Sequence, residues 1–468
     1  FGERRGHILI IRRAIYGLKS SGKMWWERCS DILRDMGFFL SKAESDIWMR
    51  KVDDHYEYIA VYVDDLEMAS KNPKALTETF EKKYKLKLKG TGPVTFHLGC
   101  DFCREEDGTL CIEPKKYIER MIEGYENMFG SKPAHKYTSP LEKGDHPELD
   151  NSPELDMEGV KKYQSMIGAL QWAISLGRFD ITTAVMTMSS FRVAPRVGHL
   201  ERVKRIYGYL SKMRHTKIRV VTDMPDWSDV PDNEHDWERT VYGGVTEVIP
   251  DDAPEPLGKE VNTSTYVDAN LYHNMVTGRA VTGVLHFVNA FPIDWYSKKQ
   301  GTVETATYGS EFVAAKTATD QIIDLRTTLR YLGVPIKGKA YLFGDNKSVV
   351  QSSTVPQSRL NKRHTALAYH RVREAIASGM MVFHHLSGEF NPADILSKHW
   401  GYQQIWPQMR PILFKDWNPT DPQGSRKGSE KFPTILGPGT DGAASDPESG
   451  ELGIAIEGQV APSSTDGA

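Results

Sequence analysis

The chain has 468 residues, 39% of them hydrophobic and 26% charged, which is enough for two or three domains with cores of their own. Its four cysteines exclude a disulfide scaffold and point to a reducing compartment, and no apolar run is long enough to span a bilayer. The net charge of −3 is unevenly spread: +6 over residues 1–222, −10 over 223–262, +6 over 263–416 and −5 over 417–468.

Two mildly basic bodies flanking an acidic strap suit a nucleic-acid enzyme better than the total charge does. The first residue is Phe1 with no signal-peptide pattern after it, so a fragment or processed piece is expected, not a secreted protein.

Residues 1–140 alternate helical and strand patterns. WWERCSDILRDMGF has the spacing of an amphipathic helix, Tyr58–Leu66 (YIAVYVDDL) reads as a buried strand ending in carboxylates, and Lys74–Lys85 reads as a second helix. FHLGCDFCREEDGTLCIEP follows. His97, Cys100, Cys103 and Cys111 have spacing that zinc could use, but two short apolar stretches around Asp107-Gly108 favour a β-hairpin.

Residues 156–222 read as mostly helical. Arg192, Arg196, Arg202, Lys204, Arg205, Lys212, Arg214, Lys217 and Arg219 face one acid, Glu201. Such a run is either a solvated helix face or a surface that tracks a duplex backbone. Tyr207 and Tyr209 are expected in the core. Residues 223–262 are acidic and Pro-rich with little periodicity, and read as an extended linker or surface excursion.

From Ser264 the pattern becomes three strands, a helix, a strand, two helices, a strand and a helix. The strands are STYVDAN, GRAVTGVLHFV, FPIDWYS, AYLFGD and MMVFHHL, with helices near 308–333, 346–353, 363–378 and 391–398. The tail 417–468 is rich in Gly, Pro, Ser and Asp and is expected to be disordered. The fold class is therefore α/β (α+β), with a mixed five-stranded sheet and helices in its C-terminal part.

Four acids punctuate that part. Asp268 lies inside the first strand, Glu311 early in the long helix, Asp345 at a strand end and Asp394 at a helix start. Singly, each has a structural reading: Asp394 favours a helix N-terminus and Asp345 caps the helix that follows. Jointly they differ, because an acid in a buried strand is costly unless paired or metal-bound, and this element order can bring all four to one sheet edge. Clustered carboxylates suit hard divalent ions, and two such ions about 4 Å apart suit phosphodiester hydrolysis.

YVDAN, SKKQ (297–300), YGSEF, GDNKS, KRH (362–364) and GEFNPADILSK resemble, in order, the ribonuclease H domain of copia-type retrotransposons. The resemblance implies Asp268, Glu311, Asp345 and Asp394 as catalytic ligands of two Mg²⁺ or Mn²⁺ ions. It also implies endonucleolytic cutting of RNA in RNA–DNA hybrids. Where the family carries a first glutamate ahead of the catalytic one, this chain has Gly309. The loop histidine of retroviral enzymes has no counterpart before Asp394, and His384 and His385 on the strand are expected to be packing residues.

RRAIYGLKSSGKMWW, GFFLSKAESDIWMR and Tyr62-Val63-Asp64-Asp65 resemble the same elements' reverse transcriptase, as do FHLGCDF, KKYIERMI, MIGALQWAISLGRFDI and HLERVKRIYGYL. This implies a partial polymerase palm over 1–140 and a helical, basic thumb and connection over 141–222. An acidic linker over 223–262 and the ribonuclease H domain over 263–416 follow. Asp64 and Asp65 are then polymerase metal ligands, and Tyr62, Arg192, Arg202, Lys204 and Arg205 nucleic-acid contacts.

Ser20, Ser21, Gly22 and Lys23 stand where many members have Gln-Ala-Pro-Arg, and the strand carrying the first palm aspartate is missing. The polymerase half is thus expected to be inactive as it stands. Implied partners are RNA–DNA hybrid, template–primer duplex and upstream segments of the same polyprotein, with no membrane. The implied setting is a cytoplasmic virus-like particle or the nucleus. The competing reading is a non-enzymatic relic or a domesticated nucleic-acid-binding protein.

Overall fold

The computed structural model describes residues 18–231, 235–360 and 363–414. The tail 417–468, Arg12–Gly17 of the first polymerase motif and Lys362 of the KRH motif lie outside the described residues.

The first body is a small sheet under two helices. Helix α1 (Ser21–Asp35) precedes β1 (Phe39–Leu40), β2 (Ile47–Val52), β3 (His55–Tyr62) and β4 (Asp65–Ala69), which pair antiparallel in chain order; α2 (Pro73–Lys82) follows, capped by the Asn72 side chain. Cys29, Ile32, Leu33, Trp48, Ile59 and Phe80 make its core. The expected strand Tyr58–Leu66 is in fact a hairpin. The backbone turns at Val63, whose φ is 55°, a conformation that bends β3 back into β4.

The second body starts with a four-stranded sheet of β5 (Phe96–His97), β6 (Cys100–Arg104), β7 (Leu110–Glu113) and β8 (Ile218–Arg219). β6 and β7 form the hairpin expected around Asp107-Gly108, with Gly108 at φ 85°. Helices α3 (Lys115–Phe129), α4 (Met157–Ser175), α5 (Thr182–Ser189) and α6 (Val197–Lys212) complete it. Tyr207 and Tyr209 are buried, as expected.

The third body is a five-stranded mixed sheet, order β11-β10-β9-β12-β13, formed by β9 (Thr263–Asn270), β10 (Val281–Val288), β11 (Phe291–Lys299), β12 (Ala340–Gly344) and β13 (Met381–His385). β9, β10 and β11 are antiparallel, whereas β12 runs parallel to both β9 and β13. Helices α7 (Thr307–Tyr331), α8 (Lys347–Thr354), α9 (Ala366–Ala377) and α10 (Asp394–Ser397) follow the expected order. α7 buries Gly309, Ser310, Ala314, Ala315 and Ala318, small residues that let a long helix pack closely. A further helix, α11 (Tyr402–Leu413), was not expected because Pro407 and Pro411 interrupt its pattern.

Two expectations need correction. Of the two readings of residues 223–262, the extended linker fails, because the segment packs on its neighbours. Trp227 stacks on Tyr341 at 4.8 Å, Trp237 and Tyr242 are buried, and Glu247 pairs with Arg326 at 2.8 Å and Arg330 at 2.7 Å. Lys51 pairs with Glu255 at 2.6 Å, so this acidic strap also ties the first body to the third. Nor is there a break in packing between the second and third bodies. Phe179, Ile181, Val185 and Tyr209 share one core with Tyr266, Leu285, Phe343, Leu396 and Trp400.

Candidate active site

Strand register explains how distant acids meet. Gly344 at the end of β12 lies level with Val267 on β9, so the next residues, Asp345 and Asp268, come side by side. On the other side, Asp268 is opposite Gly283 of β10. A side chain at 283 would meet the backbone of Ala393, Leu396 and Ser397. Glycine there lets α10 sit against the sheet, which carries Asp394 to Asp268. Asn391 fixes the approach: its Nδ2 donates to the Val267 carbonyl at 2.9 Å and its Oδ1 accepts from Ala393 N at 3.1 Å.

Asp268, Asp345 and Asp394 each offer an oxygen within 4.8 Å of the others. Among the described residues this is the only group of three or more ligating side chains gathered so closely. Glu311 stands beside them without joining that set. It is buried, accepts a hydrogen bond from the Ala269 backbone, and is within electrostatic reach of Asp268 and Asp345.

The charge excess shows in the acidities. Burial, then Asp268 and Asp345, raises the Glu311 carboxyl well above its ordinary range. Burial and Asp268 raise Asp345, and the same two causes push Asp394 up to about 7 although Lys398 opposes them.

Lys398 escaped the sequence reading. Its Nζ lies 2.6 Å from Asp394 Oδ1 and 3.2 Å from Asp268 Oδ1. Burial works against its charge, but Asp268 and Asp394 outweigh it and raise its pKa. The Ser397 hydroxyl donates to the other Asp268 oxygen. The four-residue spacing from Asp394 was the available signal.

Gly309 also finds an account. A side chain there would collide with the carboxylate of buried Glu304, which His364 holds at 2.9 Å. The acid that the family carries at this helix turn is absent, and another carboxylate fills its space. His384 is buried and stacks on Tyr341 as a packing residue. His385, expected to pack likewise, instead reaches the Asp345 carbonyl at 3.1 Å.

The other expected site residues are placed differently. Asp64 and Asp65 are exposed at the β3–β4 hairpin tip beside exposed Tyr62, whose ring meets His97 edge-on at 5.9 Å. No third acid joins Asp64 and Asp65 among the described residues. His97, Cys100, Cys103 and Cys111 are not gathered into a ligand set; Cys103 and Cys111 face each other across the hairpin.

Of the basic residues, Arg192 is exposed. Arg202 is turned inward, with Nε 2.8 Å from Asp145 and Nη1 2.6 Å from Asp150. Lys204 meets Glu201 at 2.8 Å, and Arg205 meets Glu142 at 2.8 Å. Arg202, Lys204 and Arg205 are therefore engaged with the chain's own carboxylates, and of these only Glu201 lies within 192–219.

Residues 2–140 match the family described as reverse transcriptase (RNA-dependent DNA polymerase). The chain is 23% identical over 397 residues to the retrovirus-related Pol polyprotein from transposon RE1 of Arabidopsis thaliana, covering 85% of this chain and 24% of that protein. With the corresponding polyprotein from transposon TNT 1-94 of Nicotiana tabacum it shares 24% over 400 residues, covering 84% and 27%. A putative transposon Ty5-1 protein of Saccharomyces cerevisiae is 30% identical over 218 residues, 44% of this chain and 66% of that one.

The chain spans about a quarter of the length of the first two. Among solved structures, LC11-RNase H1 in complex with RNA/DNA hybrid superimposes with a TM-score of 0.24 at 16% identity, covering 29% of this chain and 94% of that one. The foamy viral protease-reverse transcriptase in complex with RNA/DNA hybrid superimposes with a TM-score of 0.22 at 11% identity, covering 80% and 59%. No helix among the described residues is long and apolar enough to cross a membrane.

Proposed function

From the premise that the chain is a copia-type retrotransposon Pol polyprotein segment with a reverse transcriptase region, we infer that its C-terminal body is a ribonuclease H cutting RNA paired to DNA. The observation that carries this reading is the convergence of Asp268, Asp345 and Asp394 within 4.8 Å on a five-stranded mixed sheet. Buried Glu311 adds a fourth acid beside them. Four acids answered by one lysine leave an all-oxygen donor set with excess negative charge, which fits divalent cations.

Asp268, Asp345 and Asp394 would hold the ions, with Glu311 completing the set. Two Mg²⁺ or Mn²⁺ ions, when bound, supply an activated water and neutralise charge on the leaving 3′ oxygen. Asn391 and Gly283 would keep Asp394 at the distance that ligation requires.

The domain boundaries proposed are a partial palm over 1–140, a thumb and connection over 141–222, an acidic strap over 223–262 and the nuclease body over 263–416. The palm segment places Asp64, Asp65 and Tyr62 on one hairpin, in keeping with a polymerase that needs a further aspartate before it works. Template–primer duplex and RNA–DNA hybrid are the partners this reading implies, with Arg192 as the exposed basic contact. The setting it implies is the cytoplasm, within a virus-like particle, or the nucleus.

The test is cleavage by the purified full chain. A labelled hybrid should be cut in its RNA strand with Mg²⁺ or Mn²⁺ and left intact with chelator, while single-stranded RNA and duplex DNA survive. Equal cutting of single-stranded RNA, or no cutting of hybrid with either ion, would remove the reading. Hybrid binding without cutting would favour the non-enzymatic relic.

A further inference from the structure

Both oxygens of the Asp268 carboxylate are engaged. Lys398 Nζ lies 3.2 Å from Oδ1, and the Ser397 hydroxyl donates to Oδ2. The same ammonium lies 2.6 Å from Asp394 Oδ1. Lys398 thus bridges two of the three carboxylates that converge here, at the place where a divalent ion shared by Asp268 and Asp394 would sit.

An ammonium and a divalent cation cannot share that place. Two like charges a few ångströms apart in a half-buried, weakly screened site repel strongly, and a divalent ion doubles the product of charges. Lys398 also has a way out. It follows the last residue of α10 in extended backbone, φ −124° and ψ 154°, and its side chain is 34% exposed. The four-carbon stem can swing the ammonium to solvent without disturbing the helix that carries Asp394.

We propose that Lys398 is a tethered counter-ion that holds the metal-free acids together and gives up Asp268 and Asp394 when divalent ions bind. This rests on the metal-dependent reading above. Metal affinity in this site is then set by an exchange: the chain gives up one internal cation for each arrangement that frees Asp268 and Asp394. The lysine stabilises the metal-free fold, and it weakens metal binding by the same interaction, because the two equilibria are linked.

The test measures Mn²⁺ binding to the full chain by calorimetry, and metal-free melting temperature, in wild type, Lys398→Met and Lys398→Arg. Methionine keeps an unbranched apolar stem and removes the charge. Lys398→Met should melt lower without metal, bind Mn²⁺ on the order of tenfold tighter, and gain more in melting temperature when Mn²⁺ is added. Lys398→Arg retains a cation and should stay near wild type in both measurements. If Lys398→Met is too unstable to purify metal-free, it is folded in Mn²⁺ and the metal is then competed off with a chelator of known affinity, which returns the same affinity.

Mn²⁺ binding to Lys398→Met no tighter than to wild type would overturn the proposal, as would equal tightening in Lys398→Arg. An Asp345→Asn control separates the two readings. If wild type binds Mn²⁺, Asp345→Asn abolishes that binding, and Lys398→Met leaves it unchanged, the metal site stands and the counter-ion falls. If neither wild type nor Lys398→Met binds Mn²⁺, the metal reading fails and the counter-ion fails with it.

Discussion

The Thr183 hydroxyl donates to the Ile395 carbonyl at 3.1 Å, joining α5 to the residue that follows Asp394. The bond crosses between bodies that sequence composition separates by an acidic strap, and it lies in the core that these bodies share. One of the four acids is thus positioned from outside its own sheet.

Thr183→Val keeps the shape and removes the bond. It should cost about 1 kcal/mol of stability and lower hybrid cleavage, with Mn²⁺ affinity falling alongside. Calorimetric melting and Mn²⁺ titration check this. Unchanged metal affinity would show that α10 holds Asp394 without help from α5.

Limited proteolysis should leave a resistant piece containing both α3–α6 and the five-stranded third body, because Phe179, Ile181 and Tyr209 bury the same core as Tyr266 and Trp400. Residues 263–414 expressed alone should expose that apolar face, then aggregate or fail to fold. Recovery of a stable 263–414 fragment, with α3–α6 digested away, would contradict a shared core.

Acid should weaken the same seam. His273 bonds Thr187 at 3.1 Å, and burial pushes its pKa down to about 3; burial likewise pushes His399, whose ring lies 4.7 Å away, down to about 4. Both folded values lie below the ordinary 6.5, so their stabilisation is present above about pH 6.5 and is lost as pH falls toward the folded values. Between pH 7.5 and 5.5 each should remove about 1.4 kcal/mol. Urea unfolding at the two pH values measures this, and a His273→Gln/His399→Gln double variant should flatten the dependence. The same slope in that variant would assign the loss to other groups.

Arg202 should act in stability, not in duplex binding. Arg202→Ala strands Asp145 and Asp150 and should cost about 2–3 kcal/mol, leaving the salt dependence of hybrid binding unchanged. Arg192→Ala should spare stability and flatten the log–log salt slope by about 0.9 or somewhat less. Fluorescence anisotropy across a salt series separates the two, and exchanged effects would restore Arg202 to the binding surface.

The five-stranded sheet, and the three aspartates that meet on it, were legible because two strands carry apolar residues up to an acid at or near an end, and because YVDAN, GDNKS and NPADILSK are local patterns. Lys398 lies inside a quoted stretch, yet its meaning depends on Asp268, far away in sequence. The packing of the strap was not legible because its acidic composition masks half-buried Trp227 and buried Trp237 and Tyr242, whose ring partners include Tyr341, Phe343 and Arg373. The ion pairs of the basic run were not legible for the converse reason: its charges are local and countable, whereas Glu142, Asp145 and Asp150, which with Glu201 pair three of them, lie on another segment. Long-range pairing decides charge, and periodicity carries no record of it.

The central claim is that the four acids form one metal-dependent nuclease centre. It is tested most directly by hybrid cleavage in Asp345→Asn, measured on the full chain with Mg²⁺ beside hybrid binding by anisotropy. Asparagine keeps the shape of the half-buried side chain and removes its charge. Cleavage should fall by about 10²–10³-fold, the order that removing one group stabilising transition-state charge costs, while hybrid affinity stays within about twofold of wild type. Cleavage at the wild-type rate in Asp345→Asn would contradict the account.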